Sequence, residues 1–226
     1  MAIDGILLGA GATDTNTATT AAGTSVAGDR FGVKVAWDAT RTVTSVTDSK
    51  SNTYAGVGTA QADGNGGLCQ WFFSAGGSAG ASHTFTVLLS GAGFPSISAY
   101  RIPDGASSAH AGSAQGQDTG GQPFTLVSGT LPSGNWLLLA GASNNTGGDG
   151  AYSANASTPT ATLLHSEGTL TQFWTHGVSK MLSSGTTAVT PSFNRAGTAG
   201  GTSGMAILVV AESLAAADTL HGQACL

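Results

Sequence analysis

Serine, histidine and carboxylate side chains could do chemistry in this chain if their spacing brought them together. Gly76-Gly77-Ser78-Ala79-Gly80 matches the G-x-S-x-G nucleophile elbow. That motif works on a strand–turn–helix, which lifts the serine above a parallel sheet. Here SAGGSAGAS joins two strand-like runs, and no helix former follows it, so the match reads as a glycine-rich turn. His165 and His176 with Asp149 or Glu167 would be an acid–base or metal set, but no H-x-H, HExxH or Cys/His cluster supports it. A glycosidase needs two carboxylates flanking a bond. The chain has two glutamates, Glu167 and Glu212, and its aspartates stand in turn contexts such as Asp48, Asp63, Asp104 and Asp149. No catalytic, cofactor-binding or metal-ligating residue is assigned from these spacings.

VTDSKSNTY at 46–54 poses the sharpest question. Asp48 and Asn52 suggest a calcium loop, which needs oxygen ligands at alternating positions. Lys50 stands where a ligand should be, and no acidic residue closes the loop. The stretch reads instead as a turn, with Asp48 and Asn52 bonding their own backbone. The aromatics Trp71, Phe72 and Phe73 are consecutive, as are Phe173 and Trp174. On a strand such neighbours point to opposite faces, so burial on both sides is the expectation and a sugar-stacking platform the alternative. Asn144-Asn145-Thr146 and Asn155-Ala156-Ser157 are sequons read here as loop residues. Cys69, within LCQWFF, is expected to be a buried thiol; Cys225 could pair with it, pair between chains, or stay free.

The elements that must position these residues are strands. Candidates fall at 5–9, 17–22, 29–38, 42–47, 52–58, 68–74, 82–90, 96–102, 123–129, 135–143, 160–167, 171–182, 188–193 and 204–212. Many short strands between Gly, Ser and Asn turns point to a sandwich or barrel. SHTFTVLLS alternates, with His83, Phe85, Val87 and Leu89 on one face. WLLLAGA and MAILVVA are unbroken apolar runs, the pattern of strands covered on both sides. The segments 9–17, 104–122 and 143–160 read as long loops. Only 211–220, AESLAAADTL, favours a helical turn. No sequence repeat of fixed period is visible. The expected organisation is an N-terminal arm at 1–16, one β-sandwich domain at 17–210 and a C-terminal tail at 211–226.

Charged residues make up 8% of 226 residues, against about 25% in ordinary globular proteins. With 40% hydrophobic residues the chain can still build a core, which argues against disorder. The seven Lys and Arg are scattered from Arg30 to Arg195 and the net charge is −5, so nucleic acid is not an expected partner. No apolar run reaches 18 residues, so no membrane-spanning helix is expected. MAIDGILLGAGATDT lacks a basic n-region and does not read as a signal peptide. With so few charges, exposed sheet edges would aggregate unless covered, which suits a subunit of an assembly.

One series of motifs resembles a loosely defined group of β-sandwich proteins from bacteriophages and prophages. Their pattern runs V-T-D-S-x-G-N-T-Y/W, an aromatic strand, H-T-F-T-V, then a P-S-I-like strand. Here it is Val46-Thr47-Asp48-Ser49-Lys50-Ser51-Asn52-Thr53-Tyr54, then Trp71-Phe72-Phe73, His83-Thr84-Phe85-Thr86-Val87 and Pro95-Ser96-Ile97. The match covers about residues 30–102, with Ser51 in place of the usual Gly. The resemblance implies a jelly-roll-like antiparallel sandwich in a virion structural or host-contact protein, and it carries over no catalytic residue. The expectation is a capsid decoration (cement) protein on the outer surface of capsid or tail. It would be a homo-oligomer, a trimer in the favoured form, bound to other virion proteins through 1–16 and 211–226 without cofactor. The alternative is a fibre module that reads host glycans through 104–122 and 143–160, where Tyr152 is the one aromatic on offer. An enzyme would instead need a convergent Ser/His/Asp or carboxylate cluster in the fold.

Overall fold

The computed structural model describes residues 4–103, 110–144, 151–155, 157, 159–168, 175–196 and 202–212. All the regular structure among them is β, and every ladder is antiparallel. The first eight strands are β1 (Ile6–Ala12), β2 (Thr17–Thr19), β3 (Arg30–Asp38), β4 (Val43–Asp48), β5 (Ala55–Ala62), β6 (Gly67–Ser74), β7 (Phe85–Leu89) and β8 (Ser96–Ile102). The second eight are β9 (Gly112–Asp118), β10 (Phe124–Thr125), β11 (Asn135–Asn144), β12 (Tyr152–Ala154), β13 (Thr162–Gly168), β14 (Thr175–Ser184), β15 (Ser192–Arg195) and β16 (Ser203–Ala211).

The two sets of eight are wired alike. The first forms a five-stranded sheet, β1-β8-β3-β6-β5, and a three-stranded sheet, β2-β7-β4. The second forms β9-β16-β11-β14-β13 and β10-β15-β12, the same order with every strand eight places later. In both sets the first strand pairs with the eighth, the second with the seventh, and the third with the sixth.

The apolar pattern stacks these sheets into four layers with three cores. Strand side chains alternate between faces. Phe31, Val33, Val35 and Trp37 of β3 therefore face the three-stranded sheet, meeting Ala18, Val46, Phe85, Val87 and Leu89. The opposite faces of the two five-stranded sheets meet each other. Cys69, Trp71, Phe73, Tyr100 and Ile102 lie against Leu137, Leu139, Ala206, Leu208 and Val210. The Trp71 indole N–H crosses this central layer to the Ala206 carbonyl at 3.0 Å. Trp136, Leu138, Met205, Ile207 and Val209 close the third core against Phe124, Tyr152 and Phe193. WLLLAGA and MAILVVA are thus apolar throughout because β11 and β16 are covered on both faces. β5 runs beside β9 and β1 meets β13 across the central layer, while each of these four edge strands pairs with a single strand.

Two strands lie where the sequence reads as loop. GSAQGQD, inside 104–122, is β9, and Tyr152–Ala154, inside 143–160, is β12. β9 is held by backbone pairing to β16 along one side, so it needs no apolar alternation. Ile6–Ala12, within the segment read as an arm, is an edge strand paired to β8. Asp4 beside it accepts a hydrogen bond from Lys180 Nζ at 2.5 Å, joining the start of the chain to β14. Residues 213–226, with Cys225 and most of the expected helical tail, lie outside the described residues.

Candidate functional site

VTDSKSNTY forms the end of β4 and the turn into β5, and its polar letters converge on one carboxylate. Asp48 Oδ1 accepts the backbone N–H of Lys50 at 2.9 Å and of Asn52 at 3.0 Å. Its Oδ2 accepts Asn52 Nδ2 at 2.8 Å and the Tyr54 hydroxyl at 2.6 Å. His83 Nε2 lies 3.0 Å from the same Oδ2. The turn closes through Ser51 at φ 63°, a left-handed conformation that suits glycine. Asp48, Asn52 and Tyr54 are therefore one hydrogen-bonded clasp, with His83 in contact with its carboxylate. Burial alone would raise the Asp48 pKa. The hydrogen bonds from Tyr54, Asn52 and His83 outweigh it and hold the carboxyl below its ordinary range. Burial, then the bond to Asp48, pushes the Tyr54 hydroxyl far up.

The histidine carries the clasp further. His83 faces inward on the alternating run that continues into Phe85, Val87 and Leu89, and it is fully buried. Its ring stacks on Phe85 at 4.4 Å and meets the edge of Phe31 at 4.9 Å. Its second nitrogen, Nδ1, lies 2.7 Å from the Ser25 hydroxyl, in the loop between β2 and β3. Which of Nδ1 and the Ser25 hydroxyl donates follows the imidazole tautomer, and the hydroxyl also lies 3.4 Å from the Gly80 carbonyl. Ser25, His83 and Asp48 thus stand in a contact relay, with the residue types of a serine, a base and a carboxylate in line. In serine proteases it is Nε2 that faces the serine; here the two ring nitrogens exchange roles.

The relay is shut. Ser25 is 3% exposed. The loop 75–82 between β6 and β7 covers it: Gly80 N–H donates to Ser25 Oγ at 3.1 Å, and Ser25 N–H donates to the Gly80 carbonyl at 3.1 Å. Asn52 ties the same loop down, donating to the Ser78 carbonyl at 2.9 Å and accepting the Ser78 N–H at 3.0 Å. Ser78, the serine of the G-x-S-x-G match, is thus an exposed residue of the covering loop, while the serine that meets a histidine is Ser25. Sequence reasoning missed Ser25. The signal that could have led to it is His83, whose inward position demands buried partners.

The other expected candidates are dispersed. Trp71 is buried, Phe73 nearly so, and Phe72 is half-buried. Tyr152 is also buried and bonds Ser203 Oγ at 2.9 Å, with burial pushing its pKa up to about 12. It therefore offers no ring to a sugar. Glu167 and His176 stand opposite each other in the β13–β14 ladder, and His165 pairs with Val178. Glu212 accepts Asn135 Nδ2 at 2.6 Å, and Asp63 closes the β5–β6 turn on Asn65 and Gly67 N–H. Asn144 is buried, and Asn155 Nδ2 reaches Ser192 Oγ at 3.3 Å. Asp104, Asp149, Phe173 and Trp174 lie outside the described residues. Among the described residues no group of three or more His, Cys, Asp or Glu could hold a metal ion.

A second buried titratable group lies in the central layer. Lys34 of β3 is 1% exposed, and its Nζ donates to the Ala142 carbonyl at 3.2 Å. Its stem lies across Gly141, where a Cβ would collide with Cδ and Cε of the lysine. Burial lowers its pKa from 10.5 to about 8. Cys69, on the same face of β6, is fully buried, and burial raises its thiol pKa. No family model matches the chain, and comparison with curated proteins and with solved structures finds no match.

Proposed function

We propose that the chain is a bacteriophage virion structural protein, built from two jelly rolls packed back to back. In a jelly roll a long hairpin is wrapped so that its paired strands fall alternately in two sheets. The pairing of first with eighth, second with seventh and third with sixth strand, seen twice, is the observation that carries this reading. The fifth strand of each set departs from that wrapping by pairing with the sixth in the larger sheet.

The favoured version is a capsid decoration protein on the outer surface of the particle, holding its neighbours by non-covalent contacts. Two features support it. The edge strands of the five-stranded sheets pair on one side only, and in a chain with so few charges neighbouring subunits would cover them. The scarcity of charge suits contacts made by hydroxyl and backbone hydrogen bonds, which depend weakly on salt. Attachment through the tail, as a short helix, and assembly as a trimer belong to the same proposal.

The test is binding of the purified chain to particles that lack it, with copy number read by mass spectrometry of the intact virion. Copies in the hundreds, lost on deletion of residues 213–226, would support decoration. A handful of copies would turn the assignment to a fibre or tail component.

A further inference from the structure

We propose that Ser25 is a reactive nucleophile in the native protein, able to accept an acyl group from small esters when the loop 75–82 lifts. This goes beyond a structural role and does not depend on it.

Three observations carry it. The first is the geometry of the relay: Ser25 Oγ to His83 Nδ1 at 2.7 Å, and His83 Nε2 to Asp48 Oδ2 at 3.0 Å. Asp48 is itself fixed by Tyr54, Asn52 and the turn backbone, and the imidazole is held against it by its stack on Phe85 and the edge of Phe31. The second is that the other half of the fold closes the same junction without a histidine. Gly23 N–H bonds the His83 carbonyl at 2.9 Å, and at the matching junction of the second half Ser128 N–H bonds the Val189 carbonyl at 2.9 Å. Valine closes there what histidine closes here, and burying an aspartate–histidine pair carries a desolvation cost that an apolar side chain avoids. The third is the cover. Loop residues 75–82 contribute no buried side chain. Gly76, Gly77 and Gly80 take φ values of 79°, 145° and 147°. The bonds that fasten the loop to Ser25 and Asn52 are a handful of single hydrogen bonds, the pattern of a locally opening segment.

With the loop raised, the chemistry balances within the cluster. The Ser25 Oγ–H adds to the ester carbonyl carbon, and its proton moves to His83 Nδ1. Collapse of the adduct breaks the bond to the leaving alkoxide, which takes that proton. Water, deprotonated by the same nitrogen, then cleaves the acyl-serine and restores Ser25. Asp48 acts as a positioning residue, steadying the imidazolium. Beside the covering loop stand Val26, 54% exposed, and Lys50, whose Nζ lies close to Gly80.

The experiment treats the whole protein with an alkyl fluorophosphonate, which leaves a stable phosphonyl-serine as fluoride departs, and maps the adduct by peptide mass spectrometry. Three variants accompany it: Ser25→Ala, Ser78→Ala, and His83→Val, which copies the residue of the second half. Their folding is checked by thermal melting. The expected result is an adduct on Ser25, kept in Ser78→Ala and reduced at least about tenfold in rate in His83→Val, since base catalysis contributes about 100-fold or more. An adduct rate on Ser25 that His83→Val leaves unchanged would overturn the proposal. So would a label on Ser78 alone, or no label on Ser25 in the wild-type protein.

Discussion

Replacing Lys34 with methionine should stabilise the protein, and by an amount that depends on pH in a specific direction. Lys34 sits in the central apolar layer with its ammonium on one carbonyl oxygen. Its pKa falls from 10.5 unfolded to about 8 folded. At about 1.4 kcal/mol for each pKa unit, holding the charge inside costs about 3 kcal/mol at neutral pH. Methionine has a similar length and lies along the same path over Gly141, so little packing is lost. The variant forfeits the hydrogen bond to Ala142, worth about 1 kcal/mol. The net expectation is a gain of about 2 kcal/mol near neutrality. Between about pH 8 and pH 10.5 the unfolded chain binds the lysine proton and the folded chain does not. Raising the pH through that window therefore favours the folded wild type. The advantage of Lys34→Met should shrink across the window and vanish or reverse above it. Urea denaturation of both proteins at several pH values measures this difference, because titrating groups other than Lys34 and its coupled neighbour Cys69 cancel in the comparison. A variant less stable than wild type near neutrality, or a difference that does not change with pH, would refute the reasoning.

Other substitutions probe the clasp and the central layer. Ser51→Gly should stabilise the protein by roughly 1 kcal/mol, because Ser51 holds a left-handed φ of 63° that glycine adopts without penalty; a thermal melt reads the shift. Asp48→Asn should cost about 3 kcal/mol in chemical denaturation, since it removes the charge on which Asn52, Tyr54 and His83 converge. Because the Asp48 pKa is depressed on folding, its contribution is present above the ordinary carboxylate range and lost as pH falls through the folded value. Wild type should therefore lose more stability on acidification than Asp48→Asn does. Gly141→Ala should destabilise through collision with the Lys34 stem, and Lys34→Ala should relieve that cost, so the pair will be strongly non-additive in a double-mutant cycle.

Much of the sheet structure is legible in the residues because burial leaves a pattern. The run Phe85, Val87, Leu89 alternates because one face of β7 meets the core. The runs in β11 and β16 do not alternate because both faces do. β9 leaves no such trace: Gly112–Asp118 is a polar edge defined by its pairing to β16. β12 is three residues long, too short to show a period. The site was legible in part for a similar reason. Asp48 and Asn52 are close in sequence and read as a turn that bonds its own backbone, which they form. Their link to His83 and then to Ser25 spans distant loops, and nothing in a spacing rule joins residues 25, 48 and 83. The one spacing rule that did match selected Ser78, on the loop that covers the relay.

The doubling of the fold was hidden for a different physical reason. Matching inward residues of the two halves are Phe31 and Trp136, Val87 and Phe193, and Ala99 and Val209. Their separations drift through 105, 106 and 110 residues as loop lengths change, so no fixed period survives. The side chains drift as well, from Phe to Trp, Val to Phe and Ala to Val. What each place requires is an apolar volume on the inner face of a paired strand, and cores tolerate exchange among such residues when total volume is kept. Outside the cores the two halves are free to differ, and the clasp is where they do. One half closes its strand junction with valine, and the other closes it with a histidine aimed at a serine.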